Sequence, residues 1–288
     1  MLYLILSIIC SVSVGILLKI AKRYSIDIVQ VITINYAFAI ALCYFSFSPD
    51  ISVIDKNSPW KIYIPLAILL PSVFLILASS IKNMGIVKTD IAQRLSLFIP
   101  ILAAYFIFKE DFSQLKFIGL AVAFPAMILI LSRNKSEDPA QKKWIYPALV
   151  VLGFGIIDVF FKQIALQKNF PYTTSLFVVF CIAFVVALLF TTYSVIIQKK
   201  KLQFINLIFG SILGILNFGN ILFYLKAHKA FSENPTTVFA SMNMGVIILG
   251  SLAGILIFKE KVTLKNYIGI ILALGAIVLI TLSQLQKG

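Results

Sequence analysis

Long apolar segments separated by short polar connections run along the whole chain. A helix that spans a membrane needs roughly 20 consecutive apolar residues, and the chain contains ten segments close to that length. They lie at Leu2–Ile20, Ile28–Phe47, Ile62–Ile81, Ile91–Phe108, Phe117–Leu131, Trp144–Leu166, Thr174–Ile197, Phe204–Leu225, Thr237–Phe258 and Tyr267–Leu282. Transmembrane β-strands would be alternating segments of about ten residues, whereas these segments are continuously apolar. The pattern predicts an all-α integral membrane protein with ten transmembrane helices.

The composition agrees with this interpretation and argues against a soluble protein. Of the 288 residues, 60% are hydrophobic and 12% are charged, and the mean hydropathy is +1.01. A soluble domain carries about 25% charged residues. The spans leave no room for a water-facing enzyme domain, a zinc module or a nucleotide-binding cassette. The net charge of +14 is expected to meet lipid headgroups beside the spans, because no basic stretch is long enough to bind nucleic acid.

The cysteines and the N-terminus add no soluble or secreted character. Cys10, Cys43 and Cys181 all lie inside apolar segments, and their odd number argues against a disulfide framework. We expect them to be small buried hydrophobic residues. The first apolar run has its basic residues after it rather than before it, so we expect an uncleaved first span and not a signal peptide.

The second half of the chain repeats the first at an offset of 150 residues. Residues 103–119 (AAYFIFKEDFSQLKFIG) align with residues 253–269 (AGILIFKEKVTLKNYIG), and seven of these 17 positions are identical. Both copies place the same FKE turn between two spans. The polar stretch SRNKSEDPAQKK lies close to the midpoint. We therefore predict a first five-helix repeat at residues 1–132, a linker at 133–143 and a second repeat at 144–288.

Five spans per half is an odd number, so the second copy must enter the membrane from the opposite side. The predicted fold is thus two inverted five-helix repeats. This is the architecture of many secondary transporters, in which two similar halves can open a central site to one side and then to the other. A duplication without a transport role is the alternative, since channels and some membrane enzymes are also pseudo-symmetric.

The short loops, the FKE turn after the fourth and ninth spans and the Ile-Gly pair that follows resemble the drug/metabolite transporter superfamily, and within it the EamA-type ten-helix branch. The matching positions are Glu110 with Ile118-Gly119, Glu260 with Ile268-Gly269, and Pro100 in the fourth span. Gly250 stands where the second half would repeat that proline, and no tryptophan precedes Gly15 in the first span. The resemblance covers essentially the whole chain and implies a transporter, but it does not identify the substrate.

Ionisable residues inside spans are costly and are therefore candidate functional residues. Four such residues are Lys19, Arg94, Asp158 and Lys162. Asp90 and Arg94 are four residues apart, as are Asp158 and Lys162, so each pair could neutralise itself on one helix face. Lys19 lies near the end of its span, where its side chain can reach the headgroups. If instead Lys19, Arg94 and Lys162 face one cavity, that cavity is positive and favours a carboxylate or phosphate. Asp158 is the candidate for proton coupling.

Uncharged polar residues form a second set of candidates for substrate binding. Gln93 and Asn243 occupy equivalent positions in the two halves, which favours a shared cavity. For any single residue, hydrogen bonding between helices is the alternative interpretation. The whole set is Asn35, Tyr36, Gln93, Asn217, Asn220 and Asn243.

Catalytic and metal-binding patterns are missing from the sequence. His228 is the only histidine and follows the predicted eighth span, so we expect it in a loop or at the headgroups and not in a metal site. There is no Gly-rich phosphate loop, no Ser-His-Asp arrangement and no paired-carboxylate motif. We predict neither a cofactor nor an enzymatic activity.

These patterns together predict a multi-pass cell-membrane transporter that moves a small polar or amphipathic metabolite by alternating access. The resemblance implies export, and a proton is a candidate coupling ion. A lipid or polyprenyl-carrier flippase is the alternative function, and a membrane-embedded enzyme is a third. Sixteen of the 25 Lys and Arg flank the odd-numbered connections, which places the termini outside, whereas the resemblance implies cytoplasmic termini.

Overall fold

The structure, a computed structural model, describes residues 1–21, 24, 26–84, 86–131, 145–257, 259 and 263–285. Within this part of the chain the secondary structure is helical, which confirms the predicted all-α class. The α-helices are α1 (Leu2–Ala21), α2 (Ile28–Phe47), α3 (Trp60–Met84), α4 (Ile86–Leu95), α5 (Phe98–Phe106), α6 (Gln114–Leu131), α7 (Ile145–Leu166), α8 (Tyr172–Ile196), α9 (Phe204–Ala230), α10 (Pro235–Leu256) and α11 (Leu264–Leu285).

Ten helical segments correspond to the ten predicted spans, with α4 and α5 together forming the fourth. Eight of the described helices are long and apolar enough to cross a membrane, and the apolar parts of the fourth and fifth segments, Ala92–Phe106 and Gln114–Leu129, are shorter. The predicted linker at 133–143 lies outside the described residues, so the boundary between the halves stays a prediction.

The fourth span is broken where the sequence predicts a continuous helix. Pro100 has no N–H to donate to the carbonyl of Ser96, four residues before it. That carbonyl accepts instead from the N–H of Ile99, at 3.1 Å, and the N–H of Leu97 bonds to the carbonyl of Arg94 at 3.2 Å. This tighter turn separates α4 from α5.

Equivalent helices of the two halves make equivalent contacts with the opposite half. Helix α1 packs on α9 and α10, and its counterpart α7 packs on α3 and on α4 and α5. Helix α2 packs on both α8 and α9, as α8 packs on both α2 and α3, and α6 pairs with α11. Successive spans joined by short connections alternate in direction, so spans five apart run antiparallel. This arrangement agrees with the predicted pair of inverted repeats.

The turns that carry the repeated motif also share a backbone conformation. Lys109 and Lys259, the middle residues of the two FKE turns, have φ values of 53° and 52°. Such values lie in the left-handed region, which residues other than glycine seldom adopt. The repeat seen in the sequence is therefore also a repeat of local structure.

Helix α9 lies very close to α2 through two glycines one turn apart. A Cβ atom added at Gly210 would stand 3.0 Å from the carbonyl oxygen of Val31, and one at Gly214 would stand 2.8 Å from that of Asn35. Small residues at such spacing let membrane helices approach closely. The close contact holds α9 against the other half of the molecule and sets the positions of its polar residues.

Candidate functional site

A cavity of about 150 Å³ lies between the two halves, near the middle of the spans. Its walls come from α1, α3 and α4 of the first half and from α7, α9 and α10 of the second. Six of the ten predicted site residues line it, namely Gln93, Arg94, Asp158, Asn217, Asn220 and Asn243. The repeat-equivalent pair Gln93 and Asn243 therefore meets in one place. Apolar side chains, including Phe74, Phe154 and Phe161, complete the walls.

The break between α4 and α5 supplies the polar residues of the first half. Gln93, Arg94 and Ser96 precede or lie at the break, and all three line the cavity. The hydroxyl of Ser96 donates to the carbonyl of Gln93 at 2.6 Å. Interrupted helices at mid-membrane are common at the binding sites of secondary transporters, because their backbone groups are free for other partners. The side chain of Asp90, which we expect to pair with Arg94, lies outside the described part of the chain.

Asp158 reaches the cavity from α7 and is held there by Tyr224 of α9. The Tyr224 hydroxyl donates a hydrogen bond to Asp158 Oδ1 at 2.9 Å. Sequence reasoning missed Tyr224, although a signal was available. Asn217, Asn220 and Tyr224 are spaced by three and four residues, which places them on one face of α9.

Lys162 contacts the end of a helix and does not line the cavity. Its fully buried ammonium donates to the carbonyl of Ser232 at 2.8 Å and lies 3.4 Å from that of His228. A cation at the last carbonyls of α9 satisfies groups that the helix leaves unpaired and interacts favourably with its dipole. The i, i+4 spacing of Asp158 and Lys162 permits an ion pair between them. In the structure Asp158 instead bonds to Tyr224 of α9, and Lys162 bonds to carbonyl groups at the end of α9.

Of the three basic residues that could make the cavity positive, only Arg94 lines it. Lys19 is half-buried on α1 and is not part of the cavity wall. The described wall thus carries one guanidinium, from Arg94, and one carboxyl group, from Asp158. The expected net positive cavity is not formed among the described residues.

Hydrogen bonds between helices account for several of the predicted amides. Asn217 donates to Asn35 Oδ1 at 3.1 Å, and the Ser7 hydroxyl lies 2.8 Å from Asn220 Oδ1. Asn35 and Tyr36 are buried and do not line the cavity. Tyr36 packs on Phe180 with ring centroids 6.3 Å apart. Ser7, like Tyr224, was not among the predicted residues.

The expectation for His228 was wrong. Helix α9 continues to Ala230, five residues beyond the predicted end of that span, and His228 is fully buried within it. Its ring stands edge-on to Tyr224 and Phe239, with centroids 4.6 and 4.7 Å away. The last turns of α9 are amphipathic, so one side of the helix can bury a polar residue such as His228. The polar composition of LKAHKAF suggests a loop and does not show which side of a helix each residue occupies.

Comparisons with known proteins agree with this architecture. The family model described as "EamA-like transporter family" matches residues 1–132 and 142–282. A protein of Haemophilus influenzae, described only as uncharacterized, is 42% identical over an alignment of 284 residues, and the match covers 95% of this chain and 95% of that protein. A solved structure titled "Crystal structure of protein" has a TM-score of 0.76 and 14% sequence identity, and the match covers 98% of this chain and 96% of that one. At this identity the structural likeness concerns the fold alone.

Proposed function

Because the chain belongs to the EamA-like transporter family, which indicates a membrane transporter of the drug/metabolite kind, we propose that it exports a small polar or amphipathic metabolite across the cell membrane by alternating access. The observation that carries this proposal is the cavity of about 150 Å³ between the halves, with polar groups from both of them. A site between two inverted repeats can be exposed to either side by exchanging their conformations.

The charged groups of the cavity favour a substrate that carries both an acidic and a basic group, such as an amino acid. The Arg94 guanidinium is suited to a carboxylate, because its planar donors match the two oxygens. Asp158 is suited to an ammonium group or to the coupling proton. Phe74, Phe154 and Phe161 would surround the apolar part of such a molecule. Phosphate-bearing substrates, which a strongly basic cavity would favour, fit less well with a single guanidinium.

The test combines a binding screen with a transport assay. Purified protein is screened by thermal shift against amino acids, nucleosides, sugar phosphates and polyprenyl phosphates, and ligands that raise the melting temperature are then tested as labelled solutes in proteoliposomes. We expect uptake driven by a substrate or proton gradient, and loss of that uptake in Asp158→Asn. Asp50→Asn is the matched control, because Asp50 is an exposed acid outside the spans. Hydrogen bonds from Ser52 hold the pKa of Asp50 below its usual range.

The same proteoliposomes distinguish the flippase alternative. A fluorescent phospholipid or polyprenyl phosphate is incorporated into the vesicles and its movement between the leaflets is followed. Equilibration only when the protein is present would indicate that the substrate is a lipid and not a water-soluble solute. The proposal is contradicted if lipid analogues move while no solute in the screen either binds or is transported.

A further inference from the structure

A buried ion pair stands at the end of the bundle where α5 ends and α10 begins, which we call the Glu110 end. Lys116 Nζ lies 2.6 Å from Glu110 Oε1, and both side chains are 1% exposed. Glu110 belongs to the FKE turn and Lys116 to the first turn of α6. Burying both charges is costly unless their remaining hydrogen-bonding groups also have partners. The other partners of Glu110 and Lys116 therefore show which parts of the molecule the pair connects.

Those partners belong to the second half of the molecule. Glu110 Oε2 accepts from the backbone N–H of Thr236 at 2.9 Å and from its hydroxyl at 2.5 Å. Lys116 Nζ also donates to Asn234 Oδ1 at 3.1 Å. Asn234 and Thr236 lie at the start of α10, where backbone N–H groups have no partner within the helix and where negative charge is stabilising. The turn of one half therefore caps a helix of the other half.

The capped segment is connected directly to the cavity walls. Asn243 lies two turns along α10 from Thr236 and lines the cavity. On the other side of the α9–α10 connection, Lys162 holds the carbonyl of Ser232 and lies one turn along α7 from Asp158. The connection at residues 231–234 is thus held from both sides, by Lys116 of α6 and by Lys162 of α7, and α7 also forms part of the cavity wall.

The repeat-equivalent positions in the sequence hold other residue types. Asn266 stands at the position equivalent to Lys116, and its amide groups bond to the N–H of Thr263 at 2.8 Å and to the carbonyl of Leu129 at 3.1 Å. Ile86 and Met84 stand at the positions equivalent to Thr236 and Asn234. Glu260 itself lies outside the described residues. The lysine and threonine partners of the turn glutamate thus occur in one copy of the repeat.

We infer that Glu110 and Lys116 are positioning residues that lock the cavity at the Glu110 end, and that this pair must separate from α10 before the cavity opens there. The inference rests on the proposed alternating access. In this state the Glu110 end is held closed at rest by the ion pair.

The experiment measures access to the cavity without any substrate. The cysteines at 10, 43 and 181 are replaced by alanine, and Val246→Cys is introduced as a reporter in the cavity wall. A membrane-impermeant thiol reagent is applied from each side of oriented vesicles. We expect Glu110→Gln to raise the labelling rate from the Glu110 end by about tenfold or more, since removing one partner of a buried ion pair costs the closed state more than about 1.4 kcal/mol. Asp50→Asn, which removes an exposed carboxylate from the connection between α2 and α3, should leave the rate unchanged.

A second variant, and labelling from the opposite side of the membrane, distinguish opening at the Glu110 end from a general loss of structure. Lys116→Met is expected to raise labelling from the Glu110 end as Glu110→Gln does, with labelling from the opposite side unchanged or lower. Equal increases from both sides, or no increase in either variant, would overturn the lock. Transport assays on the same vesicles keep the two proposals apart, because one-sided labelling without any transported solute contradicts the proposed function alone, and transport with unaltered labelling contradicts the lock alone.

Discussion

Tyr224 of α9 donates a hydrogen bond to Asp158 of α7 at 2.9 Å, and both residues line the cavity between the halves. This contact joins two helices of the second half at the depth of the cavity. It engages one oxygen of the acid that is the candidate for proton coupling. The same tyrosine ring meets His228 edge-on, so the carboxyl group is connected to the buried end of α9.

We predict that Tyr224→Phe slows transport without unfolding the protein. Loss of a hydrogen bond costs about 0.5–1.5 kcal/mol on average, and the ring contacts with Phe161 and His228 remain. The initial transport rate in proteoliposomes should fall by up to about tenfold, while the melting temperature in detergent changes little. If the transport rate falls only in proportion to the amount of folded protein, Tyr224 has a structural role alone.

Arg94 and Lys162 should respond to substitution in opposite ways. Arg94→Lys keeps the charge but loses the bidentate geometry, so we expect a raised KM for a carboxylate-bearing substrate and a nearly unchanged melting temperature. Lys162→Met removes the cation that caps α9, and a hydrogen bond to a charged group is worth about 1.5–3 kcal/mol, so we expect a lower melting temperature. Thermal unfolding and transport kinetics on the same preparations check both. A normal KM in Arg94→Lys and Arg94→Ala would exclude a carboxylate contact.

Gly214→Ala should destabilise the protein because its new Cβ would lie 2.8 Å from the carbonyl oxygen of Asn35. Overpacking at such a site costs about 1–3 kcal/mol. Gly275→Ala in α11 is the matched control, since nothing lies within 4 Å of a Cβ there, and replacing a mid-helix glycine by alanine gains about 0.5–1 kcal/mol. Melting temperatures should therefore shift in opposite directions. Equal shifts would mean that α2 and α9 do not pack as closely as described.

Pro100→Ala should restore a donor to the backbone at the break between α4 and α5. The alanine N–H can bond to the carbonyl of Ser96, which now accepts from Ile99. We expect a more regular helix, a displaced Arg94 and slower transport, with folding retained. Pro125→Ala in α6, at an exposed position outside the cavity, should leave transport unaltered. Similar effects of both substitutions would show that the break itself is not needed.

Much of the candidate site could be predicted because burial cost is a property of the residue type and its depth in the segment. Arg94 and Asp158 stand out for this reason, Gln93 and Asn243 stand out as a repeat-equivalent polar pair, and all four line the cavity. Lys162 stands out equally and lies against the end of α9 instead. The position of a residue along a span does not show which way its side chain points. Backbone carbonyl groups can also satisfy a buried cation as well as a ligand can.

The sequence by itself determined the spans, their pairing into two halves and the antiparallel relation between them. Apolar length and the 150-residue repeat are local properties of the chain, and an odd number of spans per half leaves one choice of direction. Only the tertiary structure decided which polar groups share a cavity, and that Glu110 binds Lys116 and Thr236 rather than solvent. Glu110 and Thr236 are 126 positions apart, and such partners are selected by how the helices pack, which hydropathy along the chain does not encode.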